Sequence, residues 1–276
     1  MKTRIIAINK LGINVIESLP LDVIHNLDIY QIYDQNSYSS LNINKNLSKV
    51  TKIITSTKDL DQIYYIFDSL DLYIVICDIE SRDDYNFVMK ILNSIKNKSE
   101  VILLIKKSNF LSSDLINKIN LQVTTTMLVN DLSHSTHEFN AIKLSENKNL
   151  LIKNFVNSIV SINRIIYETG DINIDFADLM SVIKDSKISW FGHSRSNGKN
   201  KSTDVINKLL DLQFHQEGFY NATSMIVQIV SGEEIKMSEV KELTDRIKSF
   251  ASNKCNIFFG IKRNKLLHNE IELIVL

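Results

Sequence analysis

Two carboxylates stand three residues apart in the segment G-D-I-N-I-D-F-A-D-L: Asp175 and Asp178, preceded by Gly170 and Asn173. An ionised carboxylate can orient a water and draw on its proton, the work of a general base. The same residues serve a purely structural purpose as readily, with Asp175 capping a following helix and Asn173 holding the turn before it. A second acidic group, Glu80, Asp83 and Asp84, follows the apolar run Leu72–Cys77 and precedes a helical pattern. Placed there, these acids cap the helix and complement its dipole, at ~0.3–1 kcal/mol each near an exposed terminus. The rival reading is a metal-assisted phosphate site, and the residues argue against it. A loop that cradles phosphate brings backbone N–H groups up to the oxygens at a helix N-terminus, and glycine supplies both the closeness and the positive φ. No glycine lies between Glu80 and Asn86. Three carboxylates in such a loop repel phosphate, the more strongly as the site dries.

Other reactive side chains read blandly. His134 and His137 are three apart, but neither a Cys nor a third His stands near them in sequence, and zinc wants four ligands. Ser194, Ser196 and Ser202 have no G-x-S-x-G context, so no nucleophile is indicated. Ser194 and Ser196 fall, with His193, Lys199 and Lys201, in a polar stretch at Gly192–Lys201 that reads as a solvated loop, and Ser202 directly follows it. Cys77 and Cys255 sit inside apolar runs, the pattern of buried thiols in a reducing compartment. No metal site is expected.

The elements that position these residues follow from periodicity. Of the 276 residues 44% are apolar, enough for a core or two. Basic and acidic residues both total 32, so charge steers the chain toward neither nucleic acid nor anionic lipid. The start is too soon interrupted for a signal peptide, and no run approaches the ~18 apolar residues of a spanning helix. Short β-branched or aromatic runs at Arg4–Ile8, Leu27–Ile32, Leu72–Cys77 and Glu100–Ile105 predict strands, and Val88, Ile91, Leu92 and Ile95 predict a helix packed on them. A long helix over 147–169 follows, with Leu150, Leu151, Phe155, Ile159, Ile162, Ile165 and Ile166 making a wide apolar face, and Gly170 reads as a left-handed residue ending it. Further on, strands are expected at Met225–Val230, Asn256–Ile261 and Glu270–Leu276, with a helix carrying Val240, Leu243, Ile247 and Phe250 between the first two.

The segment holding Gly170, Asn173, Asp175 and Asp178 matches the G-x-x-N-x-D-x-x-D synergy loop of the FtsZ family. The resemblance continues through F-G-H-S-R-S-N-G, where the family commonly has M-G-S-G-x-A-S-G. I-V-Q-I-V-S-G-E-E-I is similar to L-V-N-I-T-G-G-E-D-L, and F-A-S-N-K-C-N-I-F-F-G to F-A-S-x-x-A-x-I-x-F-G. Spaced motifs in the right order cover roughly 147–276. The first half is similar in layout only. R-I-I-A-I-N-K-L-G-I-N-V-I keeps only Gly12 and Asn14 of the family's glycine-rich opening turn. An ungapped placement puts Glu80–Asn86 where the family has G-G-G-T-G-T-G. The Asn-Asp pair that holds guanine falls near Ile152–Lys153, and Asn130–Asp131 resembles a later P-N-D loop.

The resemblance implies an α/β, FtsZ/tubulin-like fold. A degenerate, Rossmann-like GTPase domain is expected over 1–146, a central helix over 147–169, and a smaller α+β domain with the synergy loop over 170–276. It implies that Asp175 and Asp178 act, if they act, on the nucleotide of a neighbouring subunit, with Gly170 and Asn173 completing the interface. Gly12 and Asn14 are then vestiges of cofactor binding, and no cofactor is expected. The function implied is that of a cell-division protein that has lost GTP binding and associates with FtsZ filaments through its synergy-loop face. One alternative is a divergent FtsZ that still binds GTP and builds a division ring itself; another is a scaffold that keeps the fold and has left division. The expected setting is the cytoplasm, with any place at the division site borrowed from a partner. The chain stops on its last strand without the family's terminal peptide, so no direct membrane contact and no nucleic acid are expected.

Overall fold

The computed structural model describes residues 2–25, 27–34, 50–55, 67–95, 99–129, 150–184, 186–210, 219–232 and 235–276. Asn130, Asp131, His134 and His137 lie outside them. The chain divides into two compact units, the first built mainly from 1–131, 141–156 and 184–189, the second from 132–140, 157–183 and 190–276.

In the first unit β1 (Thr3–Ile8) runs directly into α1 (Asn9–Ile16), and a short α2 (Leu21–His25) leads to β2 (Asp28–Asp34). There follow β3 (Val50–Thr55), β4 (Leu72–Cys77), α3 (Arg82–Ile95), β5 (Glu100–Lys106), α4 (Ser113–Asn120) and β6 (Thr125–Val129); a two-residue β7 (Ile188–Ser189) returns to the edge. All pairings are parallel, and the order is β3-β2-β1-β4-β5-β6-β7. Parallel strands covered on both faces need apolar residues at every position, so Leu72–Cys77 is unbroken by a polar residue and wholly buried. The stripe Val88, Ile91, Leu92 and Ile95 is at most 0% exposed and packs with Val75, Leu103 and Ile105 in one core; burying each such side chain stabilises by roughly 1.5–3 kcal/mol.

At the base of this sheet the Arg4 guanidinium lies 2.6 Å from Asp28 and 4.6 Å from the centre of the Tyr30 ring. Burial alone would lower its pKa; the hydrogen bond and charge of Asp28 outweigh that and raise it. The sheet thereby tolerates a buried cation on its first strand.

The helix α5 (Leu150–Tyr167) contributes its first turns to one unit and the remainder to the other. The second unit continues with α6 (Phe176–Ile183), β8 (Gly192–Ser196), α7 (Lys201–Leu210), β9 (Ser224–Ser231), α8 (Met237–Phe250), β10 (Asn256–Arg263), a 3-10 turn (Lys265–Leu267) and β11 (Ile271–Val275). Its sheet order is β10-β9-β11-β8, with β10 and β9 parallel and β11 antiparallel to both neighbours. The three strands expected at 225–230, 256–261 and 270–276 do share this sheet. Val205, Ile206 and Leu209 of α7 and Val240, Leu243 and Ile247 of α8 form a core with Met225, Val227, Ile229, Leu273 and Val275.

Three expectations need correcting. The stretch from Gly192 is a buried strand and not a loop; only Asn197–Asn200 are exposed, and Lys201 already begins α7. Its polar residues hid the strand, but His193, Ser194 and Arg195 each have a partner across the sheet or on the helix. The Ser194 hydroxyl donates to the Val205 carbonyl at 2.7 Å, and the Lys201 ammonium lies 2.7 Å from Asn269 and 3.2 Å from Glu239. His193, expected in solvent, is 1% exposed, and its Nε2 donates to the Glu272 carboxylate at 3.0 Å. Third, Gly170 does not have a positive φ; among the described glycines only Gly198 does. Of the two thiols, Cys77 is buried while Cys255 is only half-buried.

Candidate functional site

Two places carry the chemistry that the sequence singles out, one in each unit.

In the first unit, the strand order reverses between β1 and β4, and the crevice outside the carboxyl ends of such strands is where open α/β sheets bind ligands. Between β1 and α1 there is no glycine-rich turn: strand becomes helix at Asn9, which takes the positive φ of 56° that asparagine tolerates. Gly12 lies inside α1, and a Cβ on it would stand 2.7 Å from the Ala7 backbone, so this glycine lets helix and strand pack closely. Asn14 is exposed on the same helix.

The other wall is the β4–α3 connection. The Ser81 hydroxyl accepts from the Asp84 N–H at 3.1 Å, while the Asp84 carboxylate accepts from the Ser81 hydroxyl at 2.7 Å and from the Glu80 N–H at 3.2 Å. Of the three acids expected to cap the helix only Asp84 does so, in reciprocity with Ser81, and its carboxylate takes up the Glu80 N–H. Glu80 pairs with Lys106, and Asp78 stands beside them. Burial raises the Asp78 pKa and the charges of Glu80 and Asp84 add to the rise, partly offset by its backbone hydrogen bond and Lys106. A guanosine triphosphate fits these residues poorly. Phosphate needs donors and cations at close range; here Asp78, Glu80 and Asp84 crowd the turn, Lys106 is already paired with Glu80, and the guanidinium of Arg82 lies over the Tyr85 ring at 5.1 Å. Ile152, near the position expected to hold the base, is buried, and Lys153 is half-buried on α5.

In the second unit, the segment from Gly170 to Asp178 is closely organised. Ile172 bridges Ile261 on the edge strand β10, with N–H to carbonyl distances of 3.2 and 2.9 Å in the two directions. Gly170 must pass that strand so closely that a Cβ would lie 2.3 Å from the Ile261 carbonyl oxygen. The residue is glycine for approach, not for handedness. Its N–H donates to the Asn173 side chain at 2.6 Å, so Asn173 does hold the turn. Arg263 and Asp171 pair at 2.6 Å alongside. Gly170→Ala should cost ~1–3 kcal/mol through overpacking, measurable as a lower denaturation midpoint.

The two acids form a reciprocal capping box on α6. The Asp178 N–H donates to Asp175 Oδ1 at 2.8 Å, and the Asp175 N–H donates to Asp178 Oδ2 at 3.0 Å. Asp178 is therefore part of the cap, a role that the sequence reading gives to Asp175 alone. One oxygen of each carboxylate is committed to the box and the other lies outside it on an exposed turn. Asp178→Ala should cost ~1 kcal/mol, whereas Asp178→Asn, whose amide oxygen can still accept, should stay within a few tenths; chemical denaturation of the pair checks this. Asparagine is then the probe that removes charge while keeping the turn.

Sequence reasoning missed a third group. On the sheet face opposite the apolar core, Glu272 accepts from His193 and from Arg164 of α5, each at 3.0 Å, and Arg195 pairs with Glu270 nearby. Lys262 on β10 pairs with Glu168, and burial and the Arg164 charge lower its pKa to about 8. The signal available was alternation: Glu272 interrupts an apolar strand at one position, facing Arg195 in the register. Among the described residues no three His, Cys, Asp or Glu side chains gather as a metal site, and no helix is long and apolar enough to cross a membrane.

Residues 188–276 match the model of the FtsZ family, C-terminal domain. The whole chain is similar in structure to an empty FtsZ dimer from M. jannaschii, with a TM-score of 0.75 at 14% identity, covering 99% of this chain and 87% of that one. It is also similar to CetZ2 from Haloferax volcanii in a GTPγS-bound protofilament, with a TM-score of 0.66 at 10% identity over 100% and 92% of the two chains. CetZ from Methanosaeta thermophila gives a TM-score of 0.65 at 11% identity over 99% and 85%. At these identities the likeness is one of fold.

Proposed function

We propose, from the premise that the chain belongs to the tubulin/FtsZ superfamily by its fold and its FtsZ-family C-terminal domain, that it is a cytoskeletal protein which has lost GTP binding and modulates FtsZ filaments. It docks its Gly170–Asp178 face onto the subunit end that exposes a nucleotide. It works in the cytoplasm, and reaches a division site through that partner. The observation that carries this reading is an asymmetry. The Glu80–Asn86 turn has no glycine and closes on itself through Ser81 and Asp84, whereas the Gly170–Asp178 loop is fixed by a close glycine approach, an Asn turn and a two-way aspartate cap. A chain so built completes a neighbour's site through Asp175 and Asp178 and offers no equivalent site in return, so it joins a filament at one end only.

The test is sedimentation with phosphate release from a polymerising FtsZ, to which the chain is added in less than equal amount. Filament mass should fall or turnover should change, and Asp178→Asn should alter the turnover effect without altering stability. If wild type and variant both leave mass and turnover untouched, the loop is inherited structure and the reading fails. A divergent FtsZ that binds GTP and assembles by itself is the second reading. One observation favours it: α1 begins at the switch point after Ile8, whose apolar side chain does not cap the helix, and a helix N-terminus suits an anion.

A further inference from the structure

The dipeptide Asn197–Gly198 lies between the end of β8 at Ser196, which pairs with Ile271, and Asn200, whose carbonyl accepts the Thr203 and Asp204 N–H groups at 3.0 and 2.9 Å to start α7. Both ends of the connection are anchored and its middle is not. Residues 197–200 are exposed, and no hydrogen bond engages the Asn197 amide or the Gly198 N–H among the described residues. Gly198 has a φ of 91°, and a Cβ built on it meets nothing within 4 Å. It is the one Asn-Gly pair in the chain.

We propose that Asn197 is a site of spontaneous covalent modification, converted through a cyclic imide to aspartate and isoaspartate. The Gly198 backbone nitrogen forms a bond to the Asn197 side-chain carbonyl carbon, the side-chain nitrogen leaves as ammonia, and its place is taken by a five-membered ring. Water then opens the ring at either carbonyl. The net change is one water consumed and one ammonia released, with no oxidant or cofactor. Three requirements are met here: an N–H with no competing partner, no side chain on the following residue to hinder the approach, and a backbone free to turn, which glycine supplies. The product carries a new carboxylate three residues ahead of Asn200, where a negative charge complements the α7 dipole. The isoaspartate form also lengthens the β8–α7 connection by one backbone atom, within the region that matches the FtsZ family.

Two other asparagines serve as comparators, since Asn93–Ser94 lies in α3 and Asn157–Ser158 in α5, where the helix holds the attacking nitrogen. The full-length folded protein is incubated in mildly alkaline buffer, digested, and the fraction of aspartate plus isoaspartate read at each asparagine by mass spectrometry. Asn197 should convert about tenfold or more faster than Asn93 and Asn157, as its freedom requires, and Asn197→Gln should remove that signal while folding normally. Equal rates at the three positions, or conversion of Asn197 only after denaturation, would overturn the proposal.

Discussion

Replacing Glu272 with alanine should lower the stability of the second unit by ~3–5 kcal/mol, the cost of breaking a buried ion pair by removing one partner. Glu272 is 3% exposed and lies between His193, itself 1% exposed, and Arg164. Removing it takes away the acceptor that the His193 ring nitrogen and the Arg164 guanidinium share on a largely buried sheet face. Glu272→Gln should cost less, because an amide oxygen still accepts one of the two hydrogen bonds. The pair also separates the pH dependence. Burial alone would raise the Glu272 pKa, but the hydrogen bond and charge of His193 and the charges of Arg164 and Arg195 outweigh it and hold the carboxyl below the usual glutamate range. A carboxyl lowered on folding contributes stability above its unfolded pKa and loses it as pH falls through the folded one. Wild type should therefore weaken more steeply than Glu272→Gln on acidification below the usual glutamate range. Denaturation midpoints across that range are the measurement, and identical slopes would show that Glu272 carries no net ionic stabilisation.

That cluster also marks the limit of what the sequence shows. Strands buried on both faces are legible because their apolar runs are continuous, and Leu72–Cys77 is read to the residue. The central helix and the three long strands of the second unit are legible for the same reason. β8 is not: G-H-S-R-S reads as a loop, since its polar side chains find partners only in three dimensions, on α7, on β11 and at Glu270 just before it. The role of Gly170 is misread for a similar cause. Sequence places a glycine after a helix, where handedness is the usual reason, and only the Ile172–Ile261 bridge reveals that distance is the reason instead. For the candidate site, residue types identify Asp175, Asp178 and the missing glycines at Glu80–Asn86, but the reciprocal cap that makes Asp178 structural needs coordinates.

The larger expected effect concerns nucleotide. A micromolar dissociation constant corresponds to about 8 kcal/mol of binding free energy. In this fold such energy would have to come from backbone donors and cations gathered on the phosphates at the β1/β4 switch point. Here α1 follows β1 without a glycine turn, and Ser81 and Asp84 close the second turn on themselves. Asp78 and Glu80 add repulsion, and Lys106 is already paired. Isothermal calorimetry of GTP, with magnesium, into the isolated full-length chain is the most direct test of the claim that this protein has lost its own nucleotide while keeping the face that meets another's. The account predicts no saturable heat at protein concentrations in the tens of micromolar, on the order of ten times a micromolar dissociation constant. A single-site isotherm with micromolar affinity would contradict it and make the chain a self-assembling GTPase instead.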